Sequence, residues 1–348
     1  MQRHSLPSPH HPHHRLRRWS LRTAAPLATS LAVVALALTA VSPVVSTARA
    51  ATAVSATKDG GGTLSNGCRF SPRGLPSCGA YFGAAHGANT DPAALEDRSG
   101  QRLGVRRTYF RADQVAGAVG IARADLAAGR LPWISFKLPY SWEDMAAGRG
   151  DTWARDLARR LSRLDGPVWV AFHHEPEGDG NVQAWRRMQE HLAPLVRRIA
   201  HNVAYTVIVT GWNQFFGDPA YSLARIWPRG VKIDTIGIDI YHEYGVVKNG
   251  STIDEPPHVV RNYFRPLSAW AKRHDVAWGV AETGITDEGA QKYPSWIEGA
   301  YRRLVKNDGV AFAYFDTYLN AYGSWELATT SKQRDFARAL QSSALLPD

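Results

Sequence analysis

The chain has 348 residues, 44% of them hydrophobic and 21% charged, which is enough for one large core or two small ones. Its formal net charge of +10 falls to +4 when the first fifty residues are set aside, because that segment carries six arginines and no acidic residue. A mild charge of this size does not provide the basic surface that nucleic-acid binding needs, so no nucleic-acid partner is expected.

The first fifty residues have the order of segments that is typical of a secretory signal peptide. A basic stretch rich in histidine and arginine precedes an apolar run over about residues 31–45, and the small-residue sequence Ala48-Arg49-Ala50 follows. The apolar run is shorter than the roughly 20 residues that a membrane-spanning helix needs, so no stable membrane insertion is expected. We predict a signal peptide over residues 1–50, cleaved near Ala50, and a secreted protein; general and twin-arginine export both stay open.

Only two cysteines occur, Cys68 and Cys78, ten positions apart. In an oxidising compartment the pair predicts a local disulfide, since no histidine stands beside it at metal-ligand spacing. Residues 52–62 are rich in alanine, threonine and glycine, which favours a flexible N-terminal arm over residues 51–75. No linker, low-complexity tract or repeat follows Tyr81, so residues 76–348 are predicted to form one domain. The protein is expected to be a monomer.

From Gly79 onward, eight short apolar runs alternate with longer amphipathic segments. Such runs are typical of parallel strands buried on both faces, and eight β–α units in a row favour an α/β fold, the (β/α)8 or TIM barrel. A doubly wound open sheet would have a glycine-rich phosphate turn after its first strand, which this sequence lacks. The predicted strands are residues 80–85, 103–110, 133–138, 168–173, 204–210, 235–241, 277–281 and 310–315.

Polar residues collect where these strands end, as the active sites of barrels require. One such residue could simply form a structural hydrogen bond, but polar residues at five strand ends indicate an active site. The strand ends in question are His173-His174-Glu175-Pro176-Glu177, Gly211-Trp212-Asn213, Asp239-Ile240-Tyr241-His242, Glu282-Thr283-Gly284 and Tyr314-Phe315-Asp316.

Two glutamates, Glu175 and Glu282, follow strands 4 and 7, which face one another across the mouth of a closed barrel. Cleavage of a glycosidic bond needs such a pair, one acid for the leaving oxygen and one carboxylate at the anomeric carbon. A separation of about 5–5.5 Å between the carboxyl groups implies retention of configuration, and about 6.5–9.5 Å implies inversion. The pair therefore predicts a glycoside hydrolase that uses no cofactor and no metal.

Glutamates at the ends of strands 4 and 7 resemble the catalytic pair of the large clan of retaining glycosidases with (β/α)8 barrels. In most of that clan an asparagine precedes the acid/base, whereas His174 precedes Glu175 here, which is similar to glycoside hydrolase family 26 and its β-mannanases. The Gly237-x-Asp239-x-Tyr241 pattern on strand 6 and the small-residue setting of Glu282 are also similar to that family. The resemblance covers about the whole barrel and rests on strand order and three short motifs.

The resemblance implies a retaining endo-β-glycanase, β-1,4-mannanase-like, that acts on a polysaccharide or oligosaccharide. It implies Glu175 as the acid/base, Glu282 as the nucleophile, His174 as a contact to the sugar in the −1 subsite, and Tyr241 as a hydrogen-bond donor to the nucleophile. A tryptophan that family 26 mannanases often carry late on strand 8 is replaced here by Phe315, which puts mannan specificity in question.

Neighbouring residues on a regular strand face opposite ways, so His174 and Glu175 can share a site only if strand 4 bulges or ends there. Glu177 has the same parity as Glu175 and is the competing acid. Further candidates for substrate binding lie at the other strand ends, and each aromatic among them could instead be a packing residue. These candidates are His86, Lys137, Trp142, Trp212, Asn213 and Phe315.

Two other functions fit a barrel of this kind. His86, His174, His242, Glu175 and Asp316 could ligate zinc in a metal-dependent hydrolase, although barrel sites of that type usually begin with a His-x-His pair on strand 1. A non-catalytic carbohydrate-binding barrel is the third hypothesis, and the presence of both glutamates argues against it. Mannan, β-1,3-xylan and mixed-linkage glucan all stay open as substrates.

Overall fold

The structure, a computed structural model, describes residues 61–319 and 321–347. Within these ranges eight parallel strands, β1 to β8, close into a barrel in chain order, with β8 paired to β1. The (β/α)8 barrel predicted from the sequence is confirmed, while the predicted signal peptide lies outside the described residues. The strands are β1 Tyr81–His86, β2 Val105–Phe110, β3 Leu131–Phe136, β4 Val168–Phe172, β5 Val203–Val209, β6 Thr235–Asp239, β7 Ala277–Thr283 and β8 Ala311–Asp316.

Helices fill the connections between the strands and pack around the barrel. None of those in the described ranges combines the length and the apolar character needed to cross a membrane. A short antiparallel hairpin, Val247–Lys248 with Ser251–Thr252, lies in the connection after β6. The helices are Ala93–Ser99, Val115–Ala127, Trp142–Ala146, Asp151–Leu161, Val182–Ile199, Trp212–Phe215, Leu223–Ile226, Val260–Phe264 continuing into Arg265–Arg273, Asp287–Lys292, Trp296–Lys306 and Thr330–Gln341.

Alternation along the strands divides the core into two layers, which explains why the apolar runs are continuous. One set of side chains fills the barrel interior, and the other packs between the strands and the helices. Inside the barrel the Trp133 indole N–H donates to Thr206 Oγ1 at 3.1 Å. At Gly237 a Cβ would lie 2.9 Å from Ala281 and Ile208, so this interior position has room only for glycine.

The segment before β1 packs against the N-terminal end of the barrel. Leu64 is buried in the interior cluster, and the Tyr81 hydroxyl donates to the Gly74 carbonyl at 3.0 Å. The disulfide between Cys68 and Cys78 is present, as predicted, with 5.5 Å between the two Cα atoms. From residue 61 on, the predicted flexible arm is therefore packed, because its apolar side chains cover the bottom of the barrel, and the packed domain begins before the predicted boundary at residue 76.

Candidate active site

A cleft of about 1340 Å³ opens at the C-terminal ends of the strands. This is the end of a (β/α)8 barrel at which active sites form, because the loops that follow the strands converge there. Most of the residues predicted for the site line this one cleft. They are Glu175, Glu282, His174, Tyr241, Trp212, Asn213, Lys137 and Phe315.

The chain breaks away from the sheet directly after β4. This strand ends at Phe172, and both His173 (φ 52°) and Glu175 (φ 50°) adopt the left-handed backbone conformation. Residues with a Cβ seldom adopt the left-handed backbone conformation. Where they do, the strict alternation of side chains along a strand is interrupted. His174 and Glu175 can therefore both line the cleft, and the Glu175 N–H is anchored to the Ile208 carbonyl of β5 at 3.0 Å.

A bulge in β7 brings Glu282 into the cleft. Ile238 of β6 is in register with Val280, whereas the next residue, Asp239, is in register with Glu282. The extra residue is Ala281, whose side chain lies in the barrel interior. Because a bulge re-aims the side chains that follow it, Ala281 and Glu282 both face inward although they are adjacent.

Both oxygens of the buried Glu282 carboxylate accept a hydrogen bond from a tyrosine. Tyr109 donates to Oε1 at 2.8 Å and Tyr241 donates to Oε2 at 3.1 Å. Arg107 Nη2 lies 3.6 Å and His174 Nε2 lies 3.8 Å from Oε1. Burial raises the pKa of Glu282, while the charge of Arg107 and the two tyrosine hydrogen bonds act against that rise by stabilising the ionised form.

The surroundings of the Glu175 carboxyl group differ from those of Glu282, because they favour the protonated form. Burial, together with the negative charges of Glu282 and Glu177, raises the pKa of Glu175 to about 8; the charges of Arg107 and Lys137 oppose this rise, but no hydrogen bond from the described residues does. A glutamic acid with such a pKa keeps its proton near neutral pH and can donate it. The surroundings of Glu175 therefore favour its protonated form, whereas Arg107 and two tyrosine hydrogen bonds favour the ionised form of Glu282.

Glu177, the competing acid, is tied to the chain after β5. Its Oε1 accepts hydrogen bonds from the Gln214 side chain and from the Thr210 N–H. Burial raises the pKa of Glu177 to about 7, and these hydrogen bonds limit the rise. Glu177 also lines the cleft, so a raised pKa alone does not distinguish it from Glu175, whereas its hydrogen bonds to Thr210 and Gln214 do.

His174, next to Glu175, is a neutral histidine. Burial, followed by the charges of Arg107 and Lys137, lowers the pKa of His174 well below its ordinary value. Its Nδ1 is buried and has no hydrogen-bond partner within the described part of the chain. His174 lines the cleft, and a neutral imidazole has one nitrogen that donates a hydrogen bond and one that accepts.

Asp239 adds a third carboxyl group to the centre of the cleft. It is 4% exposed, and neither of its side-chain oxygens has a hydrogen-bond partner among the described residues. Burial, then the charges of Glu282 and Glu175, raises the pKa of Asp239 well above its ordinary value. These surroundings favour the protonated form of Asp239, which limits the negative charge around the buried Glu282.

Aromatic side chains line both flanks of the cleft. Trp212, after β5, is 52% exposed, and Tyr322, after β8, is 50% exposed. Between them Tyr241 packs on the buried Trp325, with 4.8 Å between ring centroids, and meets Phe315 edge-on at 6.0 Å. Exposed rings on opposite flanks provide flat apolar surfaces for a ligand that is longer than one ring.

Two of the predicted substrate-binding residues lie outside the lining of the cleft. His86 Nδ1 is held by Asp316 Oδ2 at 2.6 Å, at the register position where β1 and β8 pair. Trp142 is buried at the start of its short helix and packs edge-on against the His173 ring at 4.8 Å. Lys137 does line the cleft, where its Nζ lies 3.4 Å from Asp179 Oδ2.

The residues of the alternative zinc site do not form a cluster. His86 and Asp316 pair with each other, whereas His242 packs against Tyr293 and Trp296. Across residues 61–319 and 321–347, no group of three His, Cys, Asp or Glu side chains is arranged to hold a metal ion.

Arg107 and Tyr109 are functional residues that the sequence analysis missed. They stand at alternate positions of β2, on the same inward face as Val105, which belongs to the interior cluster. The signal was present in the sequence, because β2 reads Val-Arg-Arg-Thr-Tyr-Phe and charged residues are rare in buried strands. Of the two arginines, Arg106 forms a buried ion pair with Asp125, whereas Arg107 faces the barrel interior beside Glu282.

No protein-family model matches the sequence, and no curated protein matches it either. Solved structures share the barrel. A GH26 β-mannanase from Bacteroides ovatus is 14% identical with a TM-score of 0.55, over 77% of this chain and 90% of that one. Thermotoga maritima Cel5A with mannotriose is 13% identical with a TM-score of 0.54, over 76% and 97%. A fungal β-1,4-galactanase is 14% identical with a TM-score of 0.55, over 75% and 98%. At these identities the similarity establishes the fold.

Proposed function

We propose that this protein is a retaining glycoside hydrolase, with Glu175 as the acid/base and Glu282 as the nucleophile. The observation that carries the proposal is the contrast between two carboxyl groups in one cleft. Glu282 accepts hydrogen bonds on both oxygens beside Arg107, whereas burial and nearby negative charge raise the pKa of Glu175 to about 8. The three solved structures named above are all barrels of carbohydrate-degrading enzymes, which supports the same reaction class.

In the first step one oxygen of Glu282 forms a bond to the anomeric carbon as the glycosidic C–O bond breaks. The proton of Glu175 moves to the leaving oxygen, so the departing sugar leaves as an alcohol and Glu175 becomes a carboxylate. The negative charge of Glu282 is consumed in the ester bond that it forms. Negative charge therefore passes from one carboxylate to the other within the cleft, and Arg107 supplies a fixed positive charge beside them.

In the second step Glu175 acts as the base. It removes a proton from a water molecule, whose oxygen attacks the anomeric carbon on the face that the leaving group vacated. The ester bond to Glu282 breaks, which returns its negative charge, and Glu175 is protonated again. Two displacements at the same carbon restore its original configuration, so the product is the anomer with the configuration of the substrate.

The remaining cleft residues bind the sugar chain in this proposal. His174, neutral and with a free Nδ1, contacts the sugar at the scissile bond, and Tyr241 orients Glu282. Trp212 and Phe315 offer ring faces, while Lys137 and Asn213 offer hydrogen-bond donors. The cleft of about 1340 Å³ exceeds the roughly 300–1,000 Å³ of sites for small ligands, which supports endo action on a polymer.

We take mannan as the first candidate substrate, on two observations. One is the sequence around Glu175, in which a histidine, His174, directly precedes the proposed acid/base. The other is the shared barrel of a β-mannanase and of an enzyme solved with mannotriose. The disulfide between Cys68 and Cys78 supports export to an oxidising compartment, where such bonds persist.

The test is hydrolysis of β-1,4-mannan, β-1,3-xylan and mixed-linkage glucan, followed by the release of reducing ends, with and without EDTA. We expect release from at least one polysaccharide, fastest from mannan, at a rate that EDTA does not change. Release from another member of the panel would correct the substrate and keep the mechanism. No release from any polysaccharide, or a loss with EDTA that zinc restores, would contradict the proposal.

A further inference from the structure

We propose that Tyr109 is a positioning residue for the nucleophile, which fixes Oε1 of Glu282 as its hydrogen-bond donor while Arg107 acts on the same oxygen directly. The inference rests on the proposed function, since it takes Glu282 to be the group that attacks the sugar. It concerns a tyrosine on β2, a strand that no sequence motif of the site includes.

The geometry shows how Tyr109 can act on Glu282. Its hydroxyl donates to Oε1 at 2.8 Å, the shorter of the two tyrosine hydrogen bonds to this carboxylate, and Tyr241 donates to Oε2 from the other side of the barrel at 3.1 Å. Two donors on opposite oxygens fix the rotation of a carboxylate about its last side-chain bond. Burial is the largest cause that raises the pKa of Tyr109, so the phenol stays protonated and keeps its role as a donor.

Arg107 lies close to Glu282 without a direct hydrogen bond to it. The guanidinium is 1% exposed, its Nη1 donates to Ser135 Oγ at 2.8 Å, and its Nη2 lies 3.6 Å from Glu282 Oε1. Within the described ranges its Nε and Nη2 have no hydrogen-bond partner. The guanidinium carbon lies 4.6 Å from the centroid of the Tyr109 ring. A cation over the ring withdraws electron density from the phenol and strengthens its O–H as a donor, so Arg107 supports the Tyr109 hydrogen bond in addition to its direct charge on Glu282.

Other charged or titratable groups also face Glu282, and each belongs to a different element from Tyr109. The loop after β4 contributes His174 and Glu175, and β6 contributes Asp239, with Tyr241 directly after it. The loop after β8 contributes Tyr322. Of all these groups only Tyr109 and Tyr241 donate a hydrogen bond to the carboxylate, so removing the Tyr109 hydroxyl leaves Oε1 without a donor.

The test is Tyr109→Phe, followed through the pH dependence of kcat/KM on an aryl glycoside of the sugar that the polysaccharide panel identifies. A hydrogen bond to a charged group contributes about 1.5–3 kcal/mol, so we expect the acid limb, which reports the nucleophile, to move up by about one pH unit or more. The alkaline limb, which reports Glu175, should stay in place. Tyr301→Phe is the matched control, because Tyr301 is a buried tyrosine that donates to the Ala80 carbonyl, away from the cleft. An acid limb that stays in place in Tyr109→Phe would overturn the inference, whatever happens to kcat.

A second test separates an action through Glu282 from a direct contact with the substrate. In Glu282→Ala, azide can attack the anomeric carbon in place of the missing carboxylate and release the aryl group. If Tyr109 acts only through Glu282, adding Tyr109→Phe to this variant should change the azide-dependent rate less than about twofold, although Tyr109→Phe alone lowers kcat about tenfold or more. An equal loss in both backgrounds would show that Tyr109 contacts the sugar, which contradicts the inference.

Arg107→Met gives a comparison that does not depend on the folding of Tyr109→Phe. We expect it also to move the acid limb upward, because the guanidinium acts directly on Oε1 at 3.6 Å, and the double variant Arg107→Met/Tyr109→Phe should shift the limb further than Arg107→Met alone. A double variant with no greater shift than Arg107→Met would mean that the Tyr109 hydroxyl adds nothing of its own, which contradicts the inference. Failure of the proposed function has a different signature, because Glu282→Ala would then remain active or show no rescue by azide.

Discussion

Glu282→Ala should lower kcat on the cleaved polysaccharide by about 10⁵-fold, which corresponds to about 7 kcal/mol of transition-state stabilisation. The reason is that no other group can form the ester bond. Asp239, its register partner on β6, is buried without hydrogen-bond partners in the described part of the chain, and burial raises its pKa well above the ordinary value, which disfavours the carboxylate form that a nucleophile needs. The measurement is the initial rate of reducing-end release at saturating substrate.

The same variant should regain activity on an aryl glycoside when azide is added, because the truncated side chain leaves space at the anomeric carbon. A single displacement by azide inverts that carbon, so the product should be the glycosyl azide of opposite configuration. Glu288→Ala is the matched control, since Glu288 is an exposed carboxylate six residues later, and it should retain wild-type activity. Full activity of Glu282→Ala would remove this residue from the mechanism.

Glu175→Ala is the second large effect, and it should depend on the leaving group. On polysaccharide, where the leaving oxygen must be protonated, we expect kcat to fall by about 10²–10⁴-fold, the usual contribution of a general acid. On a dinitrophenyl glycoside, which needs no protonation, the first step should continue, and a covalent intermediate on Glu282 should accumulate. Azide should then release a glycosyl azide that retains the configuration of the substrate.

The pH dependence of kcat/KM provides a second test of the role of Glu175. Burial and nearby negative charge raise its pKa to about 8, so the acid is protonated and active below this pH and is lost above it. The kcat/KM of the wild type should therefore fall about tenfold per pH unit above about pH 8, and this limb should disappear in Glu175→Ala when a dinitrophenyl glycoside is the substrate. Glu177→Gln should keep the limb, because Glu177 is bound to Gln214 and Thr210. If Glu177→Gln loses the limb and Glu175→Ala keeps it, the two assignments must be exchanged.

The barrel and the position of its site were predictable because both depend on short-range patterns. Eight apolar runs gave the eight strands in order, and the observed β4, Val168–Phe172, ends within one residue of the predicted run. The residues after each run converge in the cleft because parallel strands of a closed barrel end on one face. That rule places the ends of β4 to β7, with Glu175, Trp212, Tyr241 and Glu282, at one end of the barrel.

The rest depends on backbone irregularities and on contacts between distant residues, which a pattern of single strands does not contain. The bulge at Ala281 and the left-handed residues around His174 decide which side chains face inward. Arg107 and Tyr109 lie inside β2, whereas the predicted site residues lie at or after the strand ends. His86 was placed correctly at the end of β1, but its contact with Asp316 across the closure of the barrel could not be predicted from either strand.

The central claim is that Glu175 and Glu282 carry out a double displacement, and the most direct test is the configuration of the first product. Digestion of the best polysaccharide substrate would be followed by proton NMR from the first minutes, before the sugar ring opens and equilibrates. We predict that the β-anomer forms first and that the α-anomer grows in later by mutarotation, as retention requires. An α-anomer that forms first would mean a single displacement by water, and it would contradict the assignment of Glu282 as the nucleophile.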